Sequence, residues 1–234
     1  MNRLQAGFAR VNITPTMGIG IRGYFKVRIA DGVLDELEIN ALAVSDGENR
    51  AVLLSLDNCG FSTAAMDWYR SGIAEATGLP ADAVFISCTH THTGPFILLE
   101  GEEHHGAPGD REKILEYSEW TRRRAIDAAA FALADLKDAR MGFGVGSAPN
   151  VAFIRRYIMK NGEIRTNPGV NNPEVDRPCG DVDERVNVLR FDRPGAETIV
   201  LVNFGNHPDV VGGNKISADW PGFLRRRVER AWTA

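Results

Sequence analysis

The chain has 234 residues, with 27 Lys and Arg against 31 Asp and Glu, a formal net charge of −4, and 44% hydrophobic residues. This is ordinary globular composition and excludes a disordered or fibrous chain. The acidic balance lacks the basic patch of a nucleic-acid binder, so no nucleic-acid partner is expected. No apolar run approaches the ~18 residues of a membrane span.

A chain of this length can bury a sizeable core, and we read 1–234 as a single α/β domain. The N-terminus has no apolar stretch of signal-peptide length. Cys59, Cys88 and Cys179 are scattered and make neither a CxxC pair nor an even framework. A reducing, cytoplasmic setting is the expectation.

Ala9, Val11 and Ile13 alternate with polar neighbours, as in a half-buried first strand stopped by Thr14-Pro15. Residues 38–45 and 51–57 read as two strands joined by Asp46-Gly47-Glu48-Asn49. Residues 61–77 carry apolar positions at helical spacing, with Gly78 and Pro80 as stop signals. A short run at 83–88 predicts a buried strand, and 112–136 predicts a long amphipathic helix. Further strands are predicted at 140–145, 185–191 and 198–204. Between them, 151–183 is rich in Asn, Pro, Gly and Arg, as a long functional loop would be. Ser217-Ala218-Asp219 offers N-cap chemistry and Pro221 suits a first helical turn, so 223–232 reads as a helix. The sequence ends inside that helix without a C-cap signal, which reads as C-terminal truncation.

Strands alternating with helices imply an α/β fold, here a mixed β-sheet flanked by helices. Asp57, the His90/His92 pair and His207 each follow an apolar strand. If those strands run parallel, all three features meet at one sheet edge, where open α/β sheets bind ligands.

The most informative stretch is Thr89-His90-Thr91-His92-Thr93-Gly94-Pro95. Two histidines at i and i+2 on extended backbone share one face and could address one ion, with the threonines orienting the rings. A pair hydrogen-bonded without metal fits the same spacing. His207, in Asn206-His207-Pro208, stands where a strand would hold a ligand rigidly, and a loop histidine is the alternative. Asp57 is either a helix cap or a site carboxylate, and Asp219 either an N-cap or an acceptor for an imidazole N–H. Arg155-Arg156 is a surface pair or an anion grip. His104 and His105 fall in an acidic, solvated loop suited to a rim, and Cys88 reads as a small core residue.

Taken in order, these pieces resemble the neutral/alkaline ceramidase family. The series runs from Gly7-Phe8-Ala9-Arg10-Val11-Asn12-Ile13-Thr14-Pro15 through Gly23-Tyr24, residues 53–57 and the Thr89–Pro95 motif. It continues through Ile154-Arg155-Arg156, Asn167-Pro168, residues 183–189, and His207 with Ile216-Ser217-Ala218-Asp219. The resemblance implies the N-terminal portion of a zinc-dependent amidase that cleaves N-acylsphingosine or a related lipid amide. It implies His90 and His207 as Zn²⁺ ligands, His92 as an oxyanion-stabilising histidine and Arg155 as a substrate-side residue. Asp57 and Asp219 are expected behind them. Ile154 stands where the family has Asn. The family's Glu and Tyr ligands and its serine nucleophile, in a Gly-Asp-Val-Ser-type stretch, have no match here, because Gly180-Asp181-Val182 runs into Asp183. Two other readings compete: a different metallohydrolase in which His90 and His92 chelate one ion together with Asp57 or Asp219, and an inactive scaffold.

Overall fold

In the computed structural model the described residues are 3–104, 106, 107 and 109–232. In chain order they form β1 (Gln5–Asn12), β2 (Gly32–Val33), β3 (Glu38–Ser45), β4 (Arg50–Leu56), α1 (Thr63–Thr77) and β5 (Val84–Cys88). Next come α2 (Arg111–Ala134), β6 (Lys137–Asp138), β7 (Arg140–Ser147), β8 (Arg156–Met159), β9 (Ile164–Thr166) and β10 (Val175–Pro178). The series closes with β11 (Arg185–Asp192), β12 (Ile199–Asn203), β13 (Lys215–Ile216) and α3 (Asp219–Trp232). No described helix is long and apolar enough to cross a membrane.

The chain divides into two compact units, one of Met1–Arg140, Phe191–Ile199 and Pro208–Ala234, the other of Met141–Arg190 and Val200–His207. The first is built on a sheet in the order β5-β4-β3-β1-β6. β1, β3 and β4 pair antiparallel, whereas β4 and β5 run parallel with Leu56 opposite Cys88. The sheet is therefore mixed, as expected, and two of its strands end together at one edge.

Helices α1 and α2 pack on each other and on this sheet, α2 across β1, β3 and β4, and α1 against β5. The Ser62 side chain accepts the Ala65 N–H at 3.0 Å to start α1, and Gly78 ends it at φ +71°, in the left-handed region glycine tolerates. Tyr69 of α1 is fully buried and donates to the Ser118 carbonyl of α2 at 3.1 Å. The α2 face toward the sheet is small and apolar, with Ala125, Ala128, Ala129 and Ala132 fully buried. Small side chains let the helix sit low on the sheet. Gly7 of β1 completes the fit, because a Cβ there would lie 2.1 Å from the Ala132 carbonyl oxygen.

Asp135, just past α2, clamps three elements. Its carboxylate accepts the Phe8 N–H at 3.0 Å, lies 2.5 Å from the Arg193 guanidinium and pairs with Lys137 at 2.9 Å. Burial alone would raise its pKa, but these donors prevail and hold it at about 2.

The 3-stranded sheet β10-β8-β9 lies in the second unit, as do most residues of the sheet β12-β11-β7. Two sequence expectations change here. Residues 151–183, read as a long loop, contain β8, β9 and β10. These strands are only three or four residues long, too short to show an alternation; β9 and β10 are largely exposed, while β8 buries Met159. The strand before His207 is β12, which pairs in a different sheet from β4 and β5. The three features thus do not follow strands of one sheet: Asp57 and the His90/His92 pair do, and His207 does not.

Helix α3 is tied to the first sheet by Arg225, which meets the fully buried Asp57 at 2.5 and 2.9 Å and Glu38 at 3.2 Å. Truncating the guanidinium strands a carboxylate without solvent or counter-charge. We expect Arg225→Ala to lose roughly 3 kcal/mol or more of stability in urea denaturation, well beyond a surface Arg→Ala control such as Arg165→Ala. Asp135 gives a pH test. Its folded pKa lies below the ordinary carboxylate value of about 3.9, so its stabilisation is present above about pH 4 and is lost as pH falls toward 2. Asp135→Asn is expected to cost on the order of 2 kcal/mol at pH 7 and to flatten the acid limb of the stability–pH curve.

Candidate metal centre

The parallel pairing of β4 with β5 builds the site. Beyond Leu56 and Cys88 both chains leave the sheet side by side and are stitched together. The Thr89 N–H donates to the Leu56 carbonyl at 2.8 Å, the His90 N–H to the Asn58 carbonyl at 2.9 Å, and the Asn58 side-chain amide to the Pro95 carbonyl at 2.9 Å. Residues 57–59 and 89–95 therefore form one platform at the carboxyl ends of the strands, the expected position for a ligand site.

The histidine motif does not adopt the extended backbone expected of it. Strand β5 stops at Cys88, and His90 has φ +71°. A left-handed histidine turns the chain sharply, yet the rings of His90 and His92 still come to 5.0 Å between centroids at 70°. The threonines between and around them pin the backbone. Thr89 donates to Asp57 at 3.2 Å, and the hydroxyls of Thr91 and Thr93 both donate to the Ser217 carbonyl, at 2.7 and 2.9 Å.

His90 is exposed and His92 buried. The His90 Nδ1 lies 2.6 Å from the Cys59 carbonyl oxygen. A carbonyl only accepts, so Nδ1 carries the proton and Nε2 the lone pair. Cys59 itself is half-buried, with Sγ 3.9 Å from the same Nδ1. Cys59, His90 and His92 each offer one ligand atom, and the three atoms lie within 4.8 Å of one another. Zinc bonds of ~2.0–2.3 Å in tetrahedral geometry place donors about 3.5 Å apart, so a modest closure would serve one ion. Two imidazoles and a thiol are the donor chemistry zinc prefers, and the residues fit such an ion. Burial holds the Cys59 thiol above its ordinary pKa, so without an ion it keeps its proton. Cys88, the neighbour read as a core residue, is pushed further, to about 12, by burial.

His92 has a shell of its own. Its Nδ1 lies 3.6 Å from Asp209 Oδ1, and its ring meets Tyr24 edge-on at 5.7 Å. Tyr24 donates to the same Asp209 oxygen at 2.6 Å, and that hydrogen bond, with burial, raises the phenol's pKa. Buried Arg28 donates to the His92 carbonyl at 2.6 Å and to the Gly213 carbonyl at 2.8 Å, and its guanidinium covers the Tyr24 ring at 4.0 Å. Gly23 makes room: with φ +122°, a Cβ there would stand 2.7 Å from His92 Cγ.

The remaining sequence candidates are placed as follows. Asp57 is not the cap of α1, a role Ser62 takes; it receives Arg225, the Glu38 N–H at 2.9 Å and the Thr89 hydroxyl, one residue before His90. Asp219 begins α3 at φ +55°, and its carboxylate accepts the N–H groups of Val210 and Val211 at 3.0 and 2.8 Å. His104 meets the Phe96 ring edge-on at 5.6 Å, while His105 lies outside the described residues. His207, half-buried, and Arg155, exposed, belong to the second unit.

Sequence reasoning named Cys59 and Tyr24 without giving them a place in the site, and missed Asp209. Cys59 was legible only through the parallel pairing of β4 and β5, which carries residue 59 to residue 90. No periodicity or motif marks Asp209.

Two solved structures match this architecture over 94% of the chain: a neutral ceramidase from Pseudomonas aeruginosa, with 18% identity and a TM-score of 0.66, and a ceramidase complexed with C2, with 19% identity and a TM-score of 0.63. The chain has a neutral ceramidase fold. It spans 34% of the length of each of those proteins. No protein-family model and no curated protein matches the sequence.

Gly23 yields a direct test of the His92 environment. Gly23→Ala would force a side chain into a positive-φ position against the imidazole. We expect the protein to fold with a Tm lower by several degrees and the His92 ring resonances to move, whereas Gly47→Ala, also at positive φ but in open space, leaves those resonances in place.

Proposed function

We propose that this chain carries part of a zinc-dependent hydrolase of the neutral ceramidase type, cleaving the amide bond of N-acylsphingosine or a related lipid amide. The observation that supports it is a histidine motif at the carboxyl edge of the sheet, with nitrogen and sulfur donors within 4.8 Å, inside a fold shared with ceramidases.

His90 is the ligand best prepared for the role. Its Nδ1–H is committed to the Cys59 carbonyl, which directs Nε2 outward as the donor. His207 is its partner ligand in this reading. A bound zinc ion would supply Lewis-acid polarisation of the amide carbonyl and a nucleophile available near neutral pH. His92 is assigned to the reacting carbonyl, where it stabilises the oxyanion once it holds a proton at Nε2, and Arg155 to the substrate side. Asp57 and Asp219 keep the two loops in place rather than touching substrate.

A second reading of the ligand set has its own support. The proximity of Cys59, His90 and His92 favours a joint chelate in which His92 ligates the ion beside His90. Single substitutions, made in the whole protein of which this chain is proposed to be a part, separate the two by zinc titration and turnover of an N-acylsphingosine. His90→Ala is expected to abolish stoichiometric zinc binding. His92→Ala is expected to keep zinc and lose turnover on the order of 10²–10³-fold, the effect of losing one oxyanion donor. Loss of zinc in His92→Ala and Cys59→Ser, with retention in His207→Ala, would establish the joint chelate instead.

A further inference from the structure

We infer that Asp209, held in place by Tyr24, is a positioning residue that sets His92 in its Nδ1–H tautomer. The carboxylate oxygen stands 3.6 Å from Nδ1, within ion-pair range and longer than a hydrogen bond. A negative charge at one ring nitrogen favours the tautomer that places N–H against it. The lone pair then resides on Nε2.

Three observations show that the carboxylate is built into position. Tyr24 donates to the very oxygen that faces His92, at 2.6 Å. The two residues after Asp209 give their N–H groups to the buried Asp219 carboxylate, which anchors this loop to the start of α3. Arg28 joins the same pieces from below by donating to the His92 and Gly213 carbonyls while it covers the Tyr24 ring. The imidazole is thus held through its backbone carbonyl on one side and packed against Gly23 on another.

The consequence concerns what His92 offers the site. With Nδ1 protonated, Nε2 meets a ligand as an acceptor. It can bind an ion or take up a proton, and it donates to an oxyanion only after taking one. His90 reaches the same tautomer through the Cys59 carbonyl, so the motif presents two Nε2 lone pairs. The tautomer itself does not depend on the activity proposed above; its use in binding zinc or in catalysis rests on that reading.

The test is a long-range ¹H–¹⁵N correlation spectrum of the His92 ring in the metal-free 234-residue chain, at a pH where histidine is neutral. The expected result is protonated Nδ1 and an unprotonated Nε2, with at least a tenfold excess of the Nδ1–H form. In Asp209→Ala the excess should collapse toward the Nε2–H form that free histidine prefers, with the amide spectrum still dispersed. Asp209→Asn, nearly isosteric, answers the same question if the alanine variant does not fold, and its excess should fall at least fivefold. Tyr24→Phe, which removes only the hydroxyl holding Asp209, should give an intermediate ratio. A His92 in the Nε2–H form in the parent chain overturns the inference, as does an unchanged ratio in a folded Asp209 variant. Because the readout is taken without metal or substrate, a negative result leaves the hydrolase reading standing. Loss of that reading in turn leaves the tautomer intact.

Discussion

The fully buried Asp57 carboxylate constrains this molecule more than any other group. A carboxylate without solvent needs partners for both oxygens, and from the end of β4 it finds them on three other segments: the Arg225 guanidinium of α3, the Glu38 N–H at the start of β3 and the Thr89 hydroxyl beyond β5. Such a network contributes little over a well-packed apolar core, because desolvation offsets most of the Coulomb attraction. What it adds is geometry. Each bond fixes its segment against the end of β4, and together they leave Thr89 held one residue before His90.

A second carboxylate group works in the same way on the other side of the motif. Asp35 accepts the Ser217 hydroxyl at 2.5 Å and the Ala218 N–H at 3.0 Å, and the Ser217 carbonyl in turn receives Thr91 and Thr93. Asp219 then holds the loop that carries Asp209. The histidine loop is suspended between these anchors, which explains how it can sustain unusual backbone. His90 at φ +71° and Asp219 at φ +55° both occupy the left-handed region without being glycine. Each costs on the order of 1 kcal/mol or more, and such residues persist only where their surroundings over-determine them.

The sequence made the strand–helix alternation legible because β1, β3, β4, β5, α1 and α2 bury apolar faces with regular periods. It made the histidine motif legible because its residue types speak for chemistry on their own. It could not reveal β8, β9 and β10, which are only three or four residues long, β9 and β10 being largely polar and exposed, nor that β12 joins a different sheet. The backbone turn at His90 was equally hidden. The two-residue spacing suits a strand, and only the hydrogen bonds of residues 89 and 90 back to 56 and 58 make it a bend. Cys59 and Asp209 were out of reach because each matters through a tertiary neighbour and neither belongs to a motif.

The two histidines share a tautomer but not a partner, and that difference shapes their chemistry. His90 is exposed and leans on a neutral carbonyl, whereas His92 is buried and faces a carboxylate. A carboxylate behind an imidazole favours the tautomer with N–H against it and places a formal charge beside the ring. A carbonyl orients the ring without that added charge. The exposed histidine is held by a neutral acceptor alone. The buried one faces a carboxylate that is already in place and bonded to Tyr24. One short motif thus supplies two unlike nitrogens, and the difference between them is written in the residues behind the rings rather than in the motif itself.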